Sequence, residues 1–178
     1  YIKTGIDFYI NKKNTLSLYT LQSFANTDFH IETQIKENGN LTFNAPNLSQ
    51  FSTKEQAYNI DYKLDLDDKG QNIEFEINYT KTTDPQNDFI RETINPSSKV
   101  YNYTNTISET TDSFLANIDY TKPVSGGTLE LGLEARVQNT FNSIITNQEI
   151  ETGGNPPTTP RGNTTFTYDR DIYSAYLN

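Results

Sequence analysis

The sequence predicts an all-β fold, part of an antiparallel, up-and-down transmembrane β-barrel with about seven strands of a larger barrel in this chain. A short strand-like segment occurs three times with nearly the same sequence: GIDF at residues 5–8 and NIDY at residues 59–62 and 117–120. Each copy leads through a turn into a second alternating strand. Long polar stretches separate the copies, and a hairpin repeated in this way is typical of a membrane barrel.

The first predicted hairpin lies near residues 2–23. Ile6 and Phe8 fall on one face of its first strand and Asp7 falls on the other, as a period of two requires. The letters NKKN at residues 11–14 mark the turn. The return strand continues the apolar face, so both strands predict one apolar and one polar surface.

The second predicted hairpin, near residues 57–81, has the clearest alternation. Its two strands are joined by the turn DDKG at residues 67–70. One face of the pair is apolar and aromatic: Tyr58, Ile60, Tyr62, Leu64, Leu66, Ile73, Phe75, Ile77 and Tyr79. The opposite face is polar and charged. Period two over this length predicts strands and not helices.

The third predicted hairpin lies near residues 112–140, and residues 171–178 resemble the start of a fourth copy. The polar stretches between hairpins, with Asn, Gly and Pro turn signals, predict long loops. These lie near residues 24–56, 82–111 and 146–165. We therefore expect residues 1–178 to form one incomplete barrel domain. Because the chain starts and stops inside apparent strands, we expect it to be part of a longer protein.

Composition agrees with a barrel wall and limits the function classes. Hydrophobic residues make up 33% of the 178 residues, but aromatic residues make up 12%, more than a disordered chain would carry. No apolar run is long enough for a transmembrane helix, whereas a barrel strand needs only about 9–11 residues. The net charge of −9 argues against nucleic acid as a partner. The chain has no cysteine, which excludes disulfides and thiol chemistry.

A soluble β-sheet protein is the main alternative, since its strands would alternate in the same way. In a sandwich, the apolar face meets a second sheet and connections of mixed length join the strands. Here short and long predicted connections alternate, which favours the barrel. Charged residues on the polar face, such as Asp61 and Glu76, suit a wet barrel interior or a solvated sandwich face equally well.

A family resemblance rests on particular stretches. NIDYKLDLDDKGQ at residues 59–71, IDYTKPV at 118–124, LELG at 129–132 and SAYLN at 174–178 resemble the outer-membrane β-barrel segments of TonB-dependent-receptor-like proteins, the outer membrane protein beta-barrel family of Bacteroidota. The resemblance implies the outer membrane of a Gram-negative bacterium. It also implies the lipid bilayer as a partner, with TonB and surface lipoproteins as possible partners through other parts of the protein. The short turns would face the periplasm.

Candidate chemistry is sparse. Asp65, Asp67, Gly70 and Glu76 fall at positions of a calcium-binding loop, but Lys69 stands where a ligand belongs and the flanks are strands. A hairpin turn with glycine at positive φ explains the segment better. The one histidine, His30, lies in a predicted loop and has no second histidine or cysteine with which to form a metal site. We expect no metal, no cofactor and no catalytic residue, so the chain is not expected to be an enzyme.

The candidate ligand-binding residues are Tyr101, Tyr103 and Arg161, in predicted loops, because exposed aromatic rings and a fixed cation suit recognition. The predicted function is an outer-membrane receptor or transporter barrel, TonB-dependent by resemblance, that binds a ligand for uptake or serves in a surface complex. One alternative is a soluble, surface-exposed, adhesin-like binding module. A second is an outer-membrane barrel enzyme whose active site lies outside this chain.

Overall fold

The structure, a computed structural model, describes residues 1–152 and 163–178, and of residues 149–152 only the backbone. It contains seven strands and, within these ranges, no helix. The strands are β1 (Ile2–Asn11), β2 (Asn14–Glu37), β3 (Asn40–Asp65), β4 (Asn72–Ile94), β5 (Lys99–Val124), β6 (Gly127–Thr152) and β7 (Thr164–Leu177). Within the same residues, no helix is long and apolar enough to cross a membrane.

All seven strands form one antiparallel sheet in chain order, β1 to β7, so the predicted all-β, up-and-down class is confirmed. Five of the six connections are tight turns within the described ranges. We call the end with the turns at residues 12–13, 66–71 and 125–126 the lower end, and the end with the turns at 38–39 and 95–98 the upper end. Gly39, Gly70 and Gly126 have φ of 82°, 96° and 90° in these turns, values that favour glycine. The positive φ predicted for the turn at residues 67–70 is thereby confirmed.

The predicted long loops are largely strand. Residues 24–37 and 40–56 belong to β2 and β3, and most of residues 82–111 belong to β4 and β5. The loop prediction was wrong there because these segments are rich in Thr, Ser and Asn, which resemble loop composition but also form exposed strands. Of the predicted loop at 146–165, residues 146–152 and 164–165 are strand. Residues 153–162 lie outside the described residues.

The sheet has one concave and one convex face. Residues paired across neighbouring strands share a face, and the face alternates along each strand. The seven buried residues of the described chain, Ala45, Ser49, Ala57, Asn59, Asp88, Tyr103 and Gly132, all fall on the same face by this register. A curved sheet brings the side chains of its inner face closer together, so we assign the more crowded face as the concave one.

The convex face of the lower half carries an apolar band that crosses the whole sheet. One row of the band joins Phe8, Leu16, Tyr62, Phe75, Ile118, Leu133 and Ala175. The next row joins Ile6, Leu18, Ile60, Ile77, Ala116, Ala135 and Tyr173. Although apolar, Ile60, Ile118 and Leu133 remain 40–59% exposed because no second layer covers them. A soluble sandwich would bury these side chains.

The apolar band ends abruptly towards the upper end. A row of Tyr58, Tyr79, Phe114 and Val137 is followed by a polar row of Gln22, Gln56, Lys81, Asp112, Asn139 and Asp169. Lys81 Nζ lies 3.8 Å from Asp112 Oδ1 in that row. Aromatic rings beside a polar boundary are typical of a membrane interface. Above this row the strands continue for about 14 residues, roughly 45 Å along β5.

Candidate functional site: the concave face

The concave face of the lower half, here called the lower wall, is charged. Its members are Asp7, Asp61, Lys63, Glu74, Glu76, Asn117, Asp119, Glu130, Glu134 and Arg136. Lys63 Nζ lies 2.6 Å from Glu74 Oε1, and Arg136 Nη2 lies 3.3 Å from Glu134 Oε1. Both ion pairs are about half exposed, so each contributes little to stability, and the wall is a wet surface.

Two tyrosines of this wall lie opposite glycines. Tyr19 pairs with Gly5 across β1 and β2, and Tyr176 pairs with Gly132 across β6 and β7. A Cβ at Gly132 would overlap the Tyr176 ring and the carboxylate of Asp119. The Tyr176 hydroxyl donates a hydrogen bond of 2.7 Å to Asp119 Oδ1 on β5. The Tyr176 ring can therefore cross β6 only because residue 132 has no side chain. This pairing of a tyrosine with a glycine fixes the register of the two strands.

The concave face of the upper half, here called the upper wall, carries most of the apolar and aromatic side chains of that half, set among polar and acidic residues. Its apolar residues are Phe29, Ile31, Ile35, Phe43, Phe51, Ile90, Ile94, Tyr101, Tyr103, Ile107, Ile144, Phe166 and Tyr168. The apolar side chains thus change from the convex to the concave face between the halves, without a bulge in the β3–β4 or β4–β5 ladders. The convex face of the upper half is mainly Ser, Thr, Asn and Gln, with apolar exceptions that include Phe24, Leu48, Phe89 and Phe141.

Two of the three predicted ligand-binding residues come together in the upper wall. Tyr101 and Tyr103 lie on β5, not in a loop, and their rings are stacked with centroids 6.5 Å apart. Tyr103 is only 7% exposed, and Gln148 Nε2 donates to its hydroxyl at 3.4 Å. Arg161 lies outside the described residues. His30, predicted in a loop, lies instead on the convex face of β2, paired with Leu48. A role in ligand binding for the tyrosines stays a prediction.

A polar group beside Tyr103 was missed by the sequence reasoning. Asp88 is paired with Ser49 on one side and Asn105 on the other, one ladder step from the row that holds Tyr103. Asp88 is 8% exposed and Ser49 is 5% exposed. Alternation along the sequence could have placed Asp88 on this wall, because Asp88 and Ile90 both occupy even positions of β4 and therefore lie on the same face. It was overlooked because this stretch was predicted as a loop.

In the lower turn of residues 66–71, the side chain of Asp67 binds the backbone of the turn. The Asp67 carboxylate accepts hydrogen bonds from the backbone N–H groups of Lys69 at 2.8 Å and Gln71 at 3.0 Å. These two bonds, that of Gln71 first, hold the pKa of Asp67 below its ordinary value. The carboxylate therefore closes the turn. In the part of the chain that the structure describes, no three His, Cys, Asp or Glu side chains lie together in a group that could hold a metal ion.

Comparison with known proteins agrees with this geometry. The family profile described as "Outer membrane protein beta-barrel family" matches residues 64–178, from the end of β3 onward. No curated protein matches the chain significantly. The matched part contains β4 to β7, both turns of the lower end on that side and most of the apolar band. The chain therefore belongs to the outer membrane protein beta-barrel family and forms part of a barrel in the outer membrane of a Gram-negative bacterium.

Proposed function

We propose that this chain is part of an outer-membrane receptor or transporter that binds a ligand on its extracellular side, for uptake or within a surface complex. The observation that supports this most is the change of apolar face between the two halves of the sheet. Below, apolar side chains face the lipid and charges face the interior. Above, aromatic and aliphatic side chains face the interior. Concave surfaces that combine apolar side chains with a few polar groups are typical ligand sites.

The orientation follows from the lengths on either side of the apolar band. At the lower end, tight turns follow the band almost at once, whereas at the upper end the strands continue for about 14 residues. Outer-membrane barrels have short periplasmic turns and long extracellular parts. We therefore place the lower end in the periplasm and the upper wall outside the cell, where a ligand would first meet the protein.

Energy coupling through TonB belongs to this proposal because the strands and turns resemble those of TonB-dependent receptors. The charged lower wall would then border the path through the barrel, and the two exposed ion pairs, Lys63–Glu74 and Glu134–Arg136, would keep that path wet. We propose binding and passage without covalent chemistry.

Depletion of nutrients from the culture medium tests the function directly. A strain that lacks the whole gene is compared with the same strain carrying the gene, and the small molecules and peptides left in the medium are measured. We expect at least one compound to be depleted only when the gene is present, and collapse of the proton gradient to abolish that depletion. Identical depletion in both strains would contradict the proposal. If depletion persists without the proton gradient, coupling through TonB is refuted and the receptor function stands.

A further inference from the structure

The upper wall contains a nearly buried carboxylate that no cation of the described chain pairs with. Asp88 is 8% exposed, and it accepts a hydrogen bond of 2.8 Å at Oδ1 from Nε2 of the neutral Gln86 amide. Among the described residues of this wall, the cations are Lys99 and Arg170. By register each lies roughly 20 Å or more from Asp88. A buried carboxylate without a countercharge costs free energy, which a cationic group would recover.

A second acceptor without a donor lies beside it. Asn47 Oδ1 is buried and has no hydrogen-bond partner, although Asn47 Nδ2 donates to Ser49 Oγ at 3.2 Å. Ser49 is paired directly with Asp88 in the ladder, so Asn47 and Asp88 are diagonal neighbours on the concave face. Diagonal neighbours in a sheet lie about 7–8 Å apart, close enough for one small donor group to reach both side chains. An ammonium, with three N–H donors, satisfies both acceptors.

An aromatic surface adjoins these acceptors. Ile90 is paired with Asn47 on β3 and with Tyr103 on β5, so Tyr103 lies one row above Asp88. The Tyr103 ring stacks on Tyr101. Aromatic faces attract cations and also cover the apolar body that carries them. The charge of the described part of this wall points the same way, because its carboxylates outnumber its cations: Glu55, Asp84, Asp88, Glu92 and Glu109 against Lys99 and Arg170.

We propose that Asp88, Asn47 and Tyr103 form a subsite for an organic cation: an ammonium group carried on an apolar or aromatic body, as in an amine or an amino-terminal or lysine-containing peptide. The inference rests on the proposed ligand-binding function and adds the class of ligand. The ammonium donates to the Asp88 carboxylate and to Asn47 Oδ1, and the apolar body lies against Tyr103. Ligands with a carboxylate in place of the ammonium are repelled.

Three probes of similar shape and different charge test the subsite on the whole protein in lipid nanodiscs. They are 2-phenylethylamine, 2-phenylethanol and 3-phenylpropionate, and their binding is measured by calorimetry. We expect the amine to bind about tenfold or more tightly than the alcohol and the carboxylate to bind most weakly. Equal affinity for the amine and the alcohol would overturn the proposal.

A matched pair of variants assigns the effect to Asp88. Asp84→Asn removes a carboxylate from the same face of β4, four residues away. We expect Asp88→Asn to abolish the preference for the amine and Asp84→Asn to keep it. If both variants reduce the preference equally, the charge of the whole wall acts and the subsite is refuted. Tyr103→Leu should weaken the binding of both the amine and the alcohol, and that of the amine by the larger factor, because the aromatic face also attracts the ammonium. Retained heat-modifiable migration in gels shows that each variant folds.

The depletion assay separates failure of the subsite from failure of the function. If the gene is required for depletion of some compound but the Asp88→Asn strain depletes it normally, the subsite proposal fails and the receptor function stands. If the strain without the gene depletes the same compounds to the same extent as its parent, the receptor function fails, whatever the binding of the three probes shows. Depletion of a cationic compound that is lost in Asp88→Asn and kept in Asp84→Asn supports both.

Discussion

A lysine placed in the apolar band tests the assignment of the two faces. Ile118 lies on the convex face of β5, between Phe75 and Leu133 in its row. It is 43% exposed because no protein layer covers it. The nearest polar residues on the convex face of β5 are Lys122 and Asp112, four and six residues away, or about 13 Å and 20 Å along the strand.

With a strand tilt of about 45°, these lengths place Ile118 roughly 9 Å and 14 Å in depth from the two polar rows, near the centre of the bilayer. A lysine at that depth costs about 2–4 kcal/mol. This corresponds to a reduction of about 30-fold to 1,000-fold in the folding equilibrium constant. We expect Ile118→Lys to lower the free energy of unfolding from lipid vesicles by this amount, measured by denaturant titration of the whole protein.

The neighbouring residue provides a matched control. Asn117 lies on the concave face, where it is paired with Glu76 and Glu134. A lysine there adds the same charge one residue away but meets two carboxylates and water. Asn117→Lys should therefore change the free energy of unfolding by less than about 1 kcal/mol. An equal cost for the two lysines, or a greater cost at residue 117, would refute the assignment of the convex face to lipid.

Three further predictions concern the register, the lower turn and the topology. Gly132→Ala should destabilise the protein by about 0.5–1.5 kcal/mol because its methyl group displaces the Tyr176 ring and breaks the hydrogen bond of Tyr176 to Asp119, and Tyr176→Ala in the same chain should make the Gly132→Ala change nearly neutral in the denaturant titration. Asp67 has a folded-state pKa below the unfolded value near 3.8. The Asp67 carboxylate therefore contributes to the free energy of unfolding above that value, and this contribution is lost as the pH falls through the folded-state pKa. When the denaturant titration is repeated below about pH 4, the Asp67→Asn variant should lose less stability than the native protein. Because the chain has no cysteine, single cysteines at Ser97 and Asp68 can be tested with a membrane-impermeant maleimide. On intact cells Ser97→Cys should react and Asp68→Cys should not, and the reverse pattern would invert the orientation.

The lower half of the sheet could be predicted from the sequence because one rule governs all of it. Lipid on the convex face and water on the concave face impose a strict period of two, visible in residues 58–66 and 73–79. The pairing of β3 with β4 then follows from the turn between them. The family resemblance rests on these same strands, since their side chains are constrained on both faces.

The upper half could not be predicted because, in the proposed orientation, both of its faces meet water. There the convex face is mostly Ser, Thr and Asn, and the apolar residues move to the other parity, as from Ile77 and Tyr79 to Ile90 and Ile94 in β4. Apolar residues that change parity within one strand resemble no periodic pattern, so residues 82–111 were predicted as a loop. Only the register shows that Tyr101, Tyr103 and Asp88 share one wall.

The most direct test is a cysteine scan of β5 with a spin label at each position from residue 100 to residue 120 of the whole protein in lipid vesicles. Accessibility to oxygen reports lipid, and accessibility to a water-soluble nickel complex reports water. We predict that even positions from 114 to 120 are accessible to oxygen and that odd positions there are not. From 100 to 110, even positions should become accessible to nickel. If the even positions from 114 to 120 were accessible to nickel, as those from 100 to 110 are expected to be, the result would contradict the barrel assignment.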